Sequence, residues 1–201
     1  MKEGPLPFVE PGDLAAISAP TDFLGINYYS RGIMRSELVP EAENAPRLIE
    51  KPRPEALTEM GWEVYPDGLR SVLVRVHRDY GPKQIYVTEN GAAYSTGPDA
   101  RGQIADTQRL DYVRGHLIAC QRAIAEGVPL RGYFLWSFCD NFEWQFGYSK
   151  RFGVVWVDFE TLARTPKASA LWYRDTILAN AVDDGLTAAD EQELLPAQRS
   201  A

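Results

Sequence analysis

Short apolar runs alternate along this chain with longer segments whose apolar residues recur at helical spacing. Residues 21–29 read as a strand, with Phe23, Leu24, Gly25 and Ile26 leading into the polar and aromatic end Asn27-Tyr28-Tyr29. Pro66 opens a helix in which Leu69, Val72, Leu73, Val76 and Tyr80 repeat, and Gly81-Pro82 stops it. A strand over 84–88 follows. Asp106 can cap the next helix, whose stripe is Leu110, Val113, Leu117, Cys120 and Ile124 and which Gly127 and Pro129 close. Residues 132–137 form another strand, 152–157 are extended, and Thr165-Pro166 starts a last helix that runs to Asn180. The stretch over 30–65 carries Pro40, Pro46, Pro52 and Pro54 and no sustained periodicity, so it is expected to be irregular.

Strand-helix alternation of this kind makes a parallel α/β sheet, and the pattern alone fits a doubly wound sheet and part of an eight-stranded barrel equally well. Residues with chemistry to offer separate the two. Asn27 and Tyr29, Glu89, and the segment from Trp136 to Trp144 stand at the carboxyl ends of the three strands, where barrel enzymes carry their sites. No glycine-rich phosphate loop follows any strand, which disfavours a dinucleotide fold.

Composition narrows the partners rather than the chemistry. A net charge of −7 argues against nucleic acid and anionic membranes, and no run approaches the length of a membrane span. The start, Met1-Lys2-Glu3-Gly4-Pro5, lacks the apolar core of an export signal, so a cytoplasmic location is expected. The two cysteines, Cys120 and Cys139, lack metal-ligand spacing, and no metal or other cofactor is expected. From Ala181 onward the composition is acidic and rich in small residues, so residues 181–201 are expected to be a disordered tail after a folded unit over 1–180.

Two segments carry the chemistry. Tyr86-Val-Thr-Glu-Asn-Gly91 puts a carboxylate at a strand mouth, and Trp136-Ser-Phe-Cys-Asp-Asn-Phe-Glu-Trp144 adds acids and flat aromatics after the next strand. Carboxylates serve glycosidic chemistry and indoles stack on sugar faces. These two segments, followed by Gly147-Tyr-Ser-Lys-Arg-Phe-Gly153, resemble the nucleophile and sugar-binding motifs of the family 1 glycoside hydrolases, typically β-glucosidases. The resemblance covers residues 5–180 and implies a partial (β/α)8 TIM barrel, with strands six to eight and their helices.

The resemblance implies that Glu89 is a covalent nucleophile of a retaining mechanism, with Tyr29 donating a hydrogen bond to it and Asn27 in the same network. Glu143 and Trp144 would hold neighbouring hydroxyls and the face of an unphosphorylated hexose, since a carboxylate at Glu143 repels a phosphate. In relatives that act on 6-phosphorylated sugars a Tyr tends to stand at the position of Phe152. Trp136 would floor the glycone subsite, and Trp62 would line the leaving-group side; the competing reading of Trp62 is a staple under the following helix. His77 and His116 are expected to be structural, and Tyr28 and Cys120 to be core.

The general acid/base of the family lies in an Asn-Glu-Pro motif, and that string does not occur in this chain. The expectation is therefore a carboxy-terminal part of a β-glucosidase, acting on terminal β-D-glucosides or oligosaccharides, galactosides and fucosides included, whose partner is the missing amino-terminal half of the barrel. The alternative is a catalytically incompetent fragment that binds sugar or serves only in assembly.

Overall fold

The computed structural model describes residues 8–33 and 54–183. Three parallel strands, β1 (Leu24–Asn27), β2 (Ile85–Asn90) and β3 (Leu130–Leu135), form a sheet in sequence order. Helix α2 (Pro66–Tyr80) connects β1 to β2, and α3 (Thr107–Ala125) connects β2 to β3. A short helix, α1 (Asp13–Ile17), precedes the sheet and was not evident from periodicity; it buries no side chain. After β3, the strands β4 (Val155–Val157) and β5 (Arg164–Pro166) pair antiparallel, and α4 (Ala168–Ala179) ends the described region. The expected helix start at Thr165-Pro166 is thus displaced, because those residues pair with Trp156 and Val155 before the chain turns into α4. Most of the expected irregular stretch, 34–53, lies outside the described residues, as does 184–201 of the tail.

The helices lie against one face of the sheet. Leu69 and Leu73 of α2, Ile85 and Val87 of β2, and Cys120 and Ala123 of α3 share a core with Tyr28 and Val128. Burying a leucine this fully contributes about 2–3 kcal/mol. On α3 the buried stripe is Arg109, Tyr112, Val113, His116, Ala119, Cys120 and Ala123, whereas Ile124 is exposed. Of the expected stripe, Val113 and Cys120 are buried and Leu117 packs against the core, and the face they share is completed by Arg109 and His116, polar side chains with buried partners. The opposite face of the sheet carries Gly25, Asn27, Thr88 and Phe134, and Phe134 is 57% exposed. Among the described residues no helix is long and apolar enough to cross a membrane.

Candidate active site

The site grows from the carboxyl ends of β1 and β2. Their register runs Ile26 opposite Val87 and then Asn27 opposite Glu89, so β2 has one residue more than its neighbour at this point. Against β3, Val87 faces Tyr133 and Asn90 faces Leu135, which records the same extra residue from the other side. Glu89 thereby meets Tyr29, whose Oη donates to Glu89 Oε2 at 2.8 Å. Burial, and next the bond to Glu89, hold the Tyr29 phenol well above its usual range, so it stays protonated and donates to the carboxylate.

Aromatic rings pack around this pair. Tyr29 lies 5.4 Å from the Trp62 ring and 6.2 Å from Phe152, and Trp62 and Phe152 are 6.3 Å apart. The Trp62 loop is tied to the strand ends by Arg31, which pairs with Glu63 at 2.6 Å and stacks on Tyr65. Glu59 extends the tie, accepting from the backbone and hydroxyl of Ser95, while Lys150 donates to the Glu59 carbonyl. Glu143 belongs to the same electrostatic neighbourhood: burial raises its carboxyl above the usual range, and the charge of Glu89 raises it further.

The other expected residues are placed less tightly. Asn27 does not bond the Glu89 carboxylate; its Oδ1 accepts from Thr88 Oγ1 at 2.7 Å, one residue before Glu89. Trp136 is partly buried, and its carbonyl oxygen occupies the space a Cβ at Gly91 would need, which explains glycine after Glu89-Asn90. Trp144 is 80% exposed, with a left-handed backbone, on the short turn Trp144–Phe146. Tyr28 is core, its hydroxyl donating to the Tyr65 carbonyl.

A cluster of buried charges behind the site escaped the sequence reading. Arg109 pairs with Asp106 at 2.9 Å and donates to the carbonyls of Ala92, Tyr94, Arg151 and Phe152. Asp106, expected to cap its own helix, makes no side-chain cap there; its carboxylate accepts from Arg109 and from the backbone and hydroxyl of Ser169 in α4. Asp140 accepts from Arg151 and from Lys167, which also donates to the Gly153 carbonyl at 2.6 Å. Burial, together with repulsion from Arg109, lowers Lys167 to about 8, and burial lowers Arg109. These bonds lock the loops after β2 and β3, and with them Phe152, onto α3 and α4. An arginine three residues after an aspartate at a helix start was the only sequence signal for it. No group of three His, Cys, Asp or Glu side chains among the described residues is placed to hold a metal.

The chain belongs to glycosyl hydrolase family 1, whose profile matches residues 1–182. Beta-glucosidase A of Thermotoga maritima is 42% identical over 172 residues, a match that spans 86% of this chain and 38% of that protein. A bifunctional beta-D-glucosidase/beta-D-fucosidase of Bifidobacterium breve is 45% identical over 180 residues, spanning 83% of this chain and 39% of that protein. Among solved structures, the family 1 β-glucosidase from T. maritima in complex with isofagomine lactam superposes with a TM-score of 0.76 at 40% identity, covering 85% of this chain and 37% of the other. The chain thus spans well under half the length of the relatives it matches, and what it shares with these TIM-barrel enzymes is a partial α/β unit with a parallel sheet.

Proposed function

We propose that this chain forms part of a retaining β-glucosidase, with residues 1–180 as the carboxy-terminal portion of a (β/α)8 barrel and β1, β2 and β3 as its sixth, seventh and eighth strands. Residues 181–201 lie beyond that unit as an acidic tail. Glu89 attacks the anomeric carbon, the leaving oxygen takes a proton from a second carboxyl group, and water then hydrolyses the glycosyl ester. The observation that carries this reading is the 2.8 Å bond from Tyr29 to Glu89 at the carboxyl ends of two parallel strands. A phenol that stays protonated donates to the attacking carboxylate and orients it.

Glu143 and Trp144, with Trp136 beneath, take the glycone hydroxyls and ring face, and Trp62 with Phe152 walls the pocket beside Tyr29. Because Glu143 is negatively charged in its working form, the sugar accepted is unphosphorylated. The second carboxyl comes from a segment carrying Asn-Glu-Pro, a string this chain does not contain. The partner is accordingly an amino-terminal family 1 segment that completes the barrel.

The test uses the chain produced together with such a segment. A 2-deoxy-2-fluoroglucosyl fluoride, whose leaving group departs without a proton, is expected to esterify Glu89, as located by mass spectrometry of peptides. Glu89→Gln should abolish the label and remove about 4 kcal/mol or more of transition-state stabilisation for an aryl β-glucoside. Near-normal hydrolysis by that variant ends the assignment. Tryptophan fluorescence that responds to glucose with no turnover in the assembled protein would favour a sugar-binding role instead.

A further inference from the structure

We propose that Asn90 is a positioning residue, a latch that decides on which face of β2 the Glu89 carboxylate emerges. Strict alternation along a strand would put Glu89 on the same side as Val87, inside the layer covered by α2 and α3. The chain avoids this by fitting both Thr88 and Glu89 between the positions of Val87 and Asn90, against one residue of each neighbouring strand. A bulge of this kind shifts the faces by one residue, so Asn90 takes the place in the helix layer that Glu89 would have filled.

Asn90 is fully buried there, and each of its polar atoms has a partner. Its Nδ2 donates to the Tyr28 carbonyl at 2.6 Å and to Tyr112 Oη at 3.0 Å, and its Oδ1 accepts from Tyr133 Oη at 2.5 Å. Tyr112 Oη in turn donates to the Tyr29 carbonyl at 3.0 Å. One amide therefore links the ends of β1 and β2 to α3 and β3, and through Tyr112 it reaches the backbone of the residue whose phenol holds Glu89. The backbone on either side is fastened as well, by Tyr28 N–H to the Glu89 carbonyl and Trp136 N–H to the Asn90 carbonyl, both at 2.9 Å. Burying polar groups with unmet partners is costly, so a register in which Asn90 left this pocket would strand the Tyr133 hydroxyl and the Tyr28 carbonyl. The bulge is held by that asymmetry.

The catalytic consequence of the latch rests on the glycosidase reading, whereas its structural consequence does not, and two arms separate them. Hydrogen exchange on the full chain compares Asn90→Leu, which keeps the shape and removes the amide, with Tyr133→Phe, which removes one hydroxyl from the latch. The amides of Tyr28 and Trp136 should exchange about tenfold faster in Asn90→Leu, and to a smaller degree in Tyr133→Phe, while those of α2 stay as they are. Acceleration spread evenly over the chain, or none at either amide, overturns the proposal.

In the assembled protein, the rate constant for trapping by the fluoroglucosyl fluoride should fall about 100-fold in Asn90→Leu, with its binding constant little changed. Equal loss in binding and trapping, or a trapping rate like that of the unaltered protein, also overturns it. If the unaltered protein is not labelled at Glu89, the glycosidase reading fails by itself and the exchange arm decides the latch. Should Asn90→Leu fail to fold, Tyr133→Phe carries both arms with the same signs.

Discussion

The two faces of the three-stranded sheet are built from the same strands and put to opposite uses. On the helix side, polar groups such as Asn90, Tyr112, Asp106 and Arg109 are buried and bonded. On the other side, Asn27 and Phe134 are exposed, and among the described residues one phenol, that of Tyr29, donates to the Glu89 carboxylate near the strand ends. A side chain that must meet a substrate cannot have its bonding capacity filled by the protein, so the covered face holds positions fixed while the open face keeps its capacity free. Substitutions on the covered face should therefore cost stability, and those on the open face should cost function.

The sharpest break of this contrast is Arg109→Leu. It leaves Asp106 buried with one partner fewer and removes the donor shared by four carbonyls, so unfolding in urea should show a loss of about 3–5 kcal/mol. A loss below 1 kcal/mol would mean that the buried charges are incidental to the fold.

Acid should next expose the covered face. His116 is buried against Tyr112, its Nδ1 donating to the Tyr112 carbonyl and its Nε2 without a partner among the described residues, and burial lowers it from 6.5 to about 4. The unfolded chain takes up this proton below about 6.5 and the folded chain only below about 4, so between these values the unfolded state binds more protons. Stability falls as pH drops through that window, by about 3 kcal/mol in all, and levels off below it. His116→Phe should flatten that part of the pH-stability curve measured by thermal unfolding; an unchanged slope would rule His116 out as its source.

On the open side, Tyr29→Phe should lower turnover by the assembled protein, with a loss of about 2 kcal/mol in transition-state stabilisation and the unfolding midpoint nearly unmoved. Trp144→Ala should be the quietest in stability, within about 0.5 kcal/mol by urea titration, while weakening the fluorescence response to glucose. If Trp144→Ala unfolds the protein, the face it stands on is not the free one.

The sequence was most informative where chemistry is local. Glu89 and Tyr29 stand in short segments of distinctive composition at strand ends, and the structure brings the two side chains together. Helix α2 was legible because Pro66 and Gly81 bound it and its spacing is unbroken. Alternation could not reveal the extra residue in β2, since a bulge is set by partners distant in sequence; a polar Asn90 in an otherwise buried run was its one trace. The charges of Arg109, Asp140 and Lys167 were equally hidden, because an ion pair across a fold leaves no periodicity. Trp62 and Phe152 converge on Tyr29 from two different loops, a meeting that follows only once those loops are tied down.

The charge cluster behind the site also sets an order of events. Ser169 and Asp106 are 63 residues apart, Arg109 and the Phe152 carbonyl 43, and Lys167 and Asp140 27. Closing loops of that length is slow and unrewarded until most of the chain is already in place. The loop that carries Phe152 therefore gains its last ties late, when the segment from Lys167 to Ser169 docks on Asp140, Gly153 and Asp106. Docking at the start of the last helix thus completes the support of a site whose Glu89 lies some eighty residues before it.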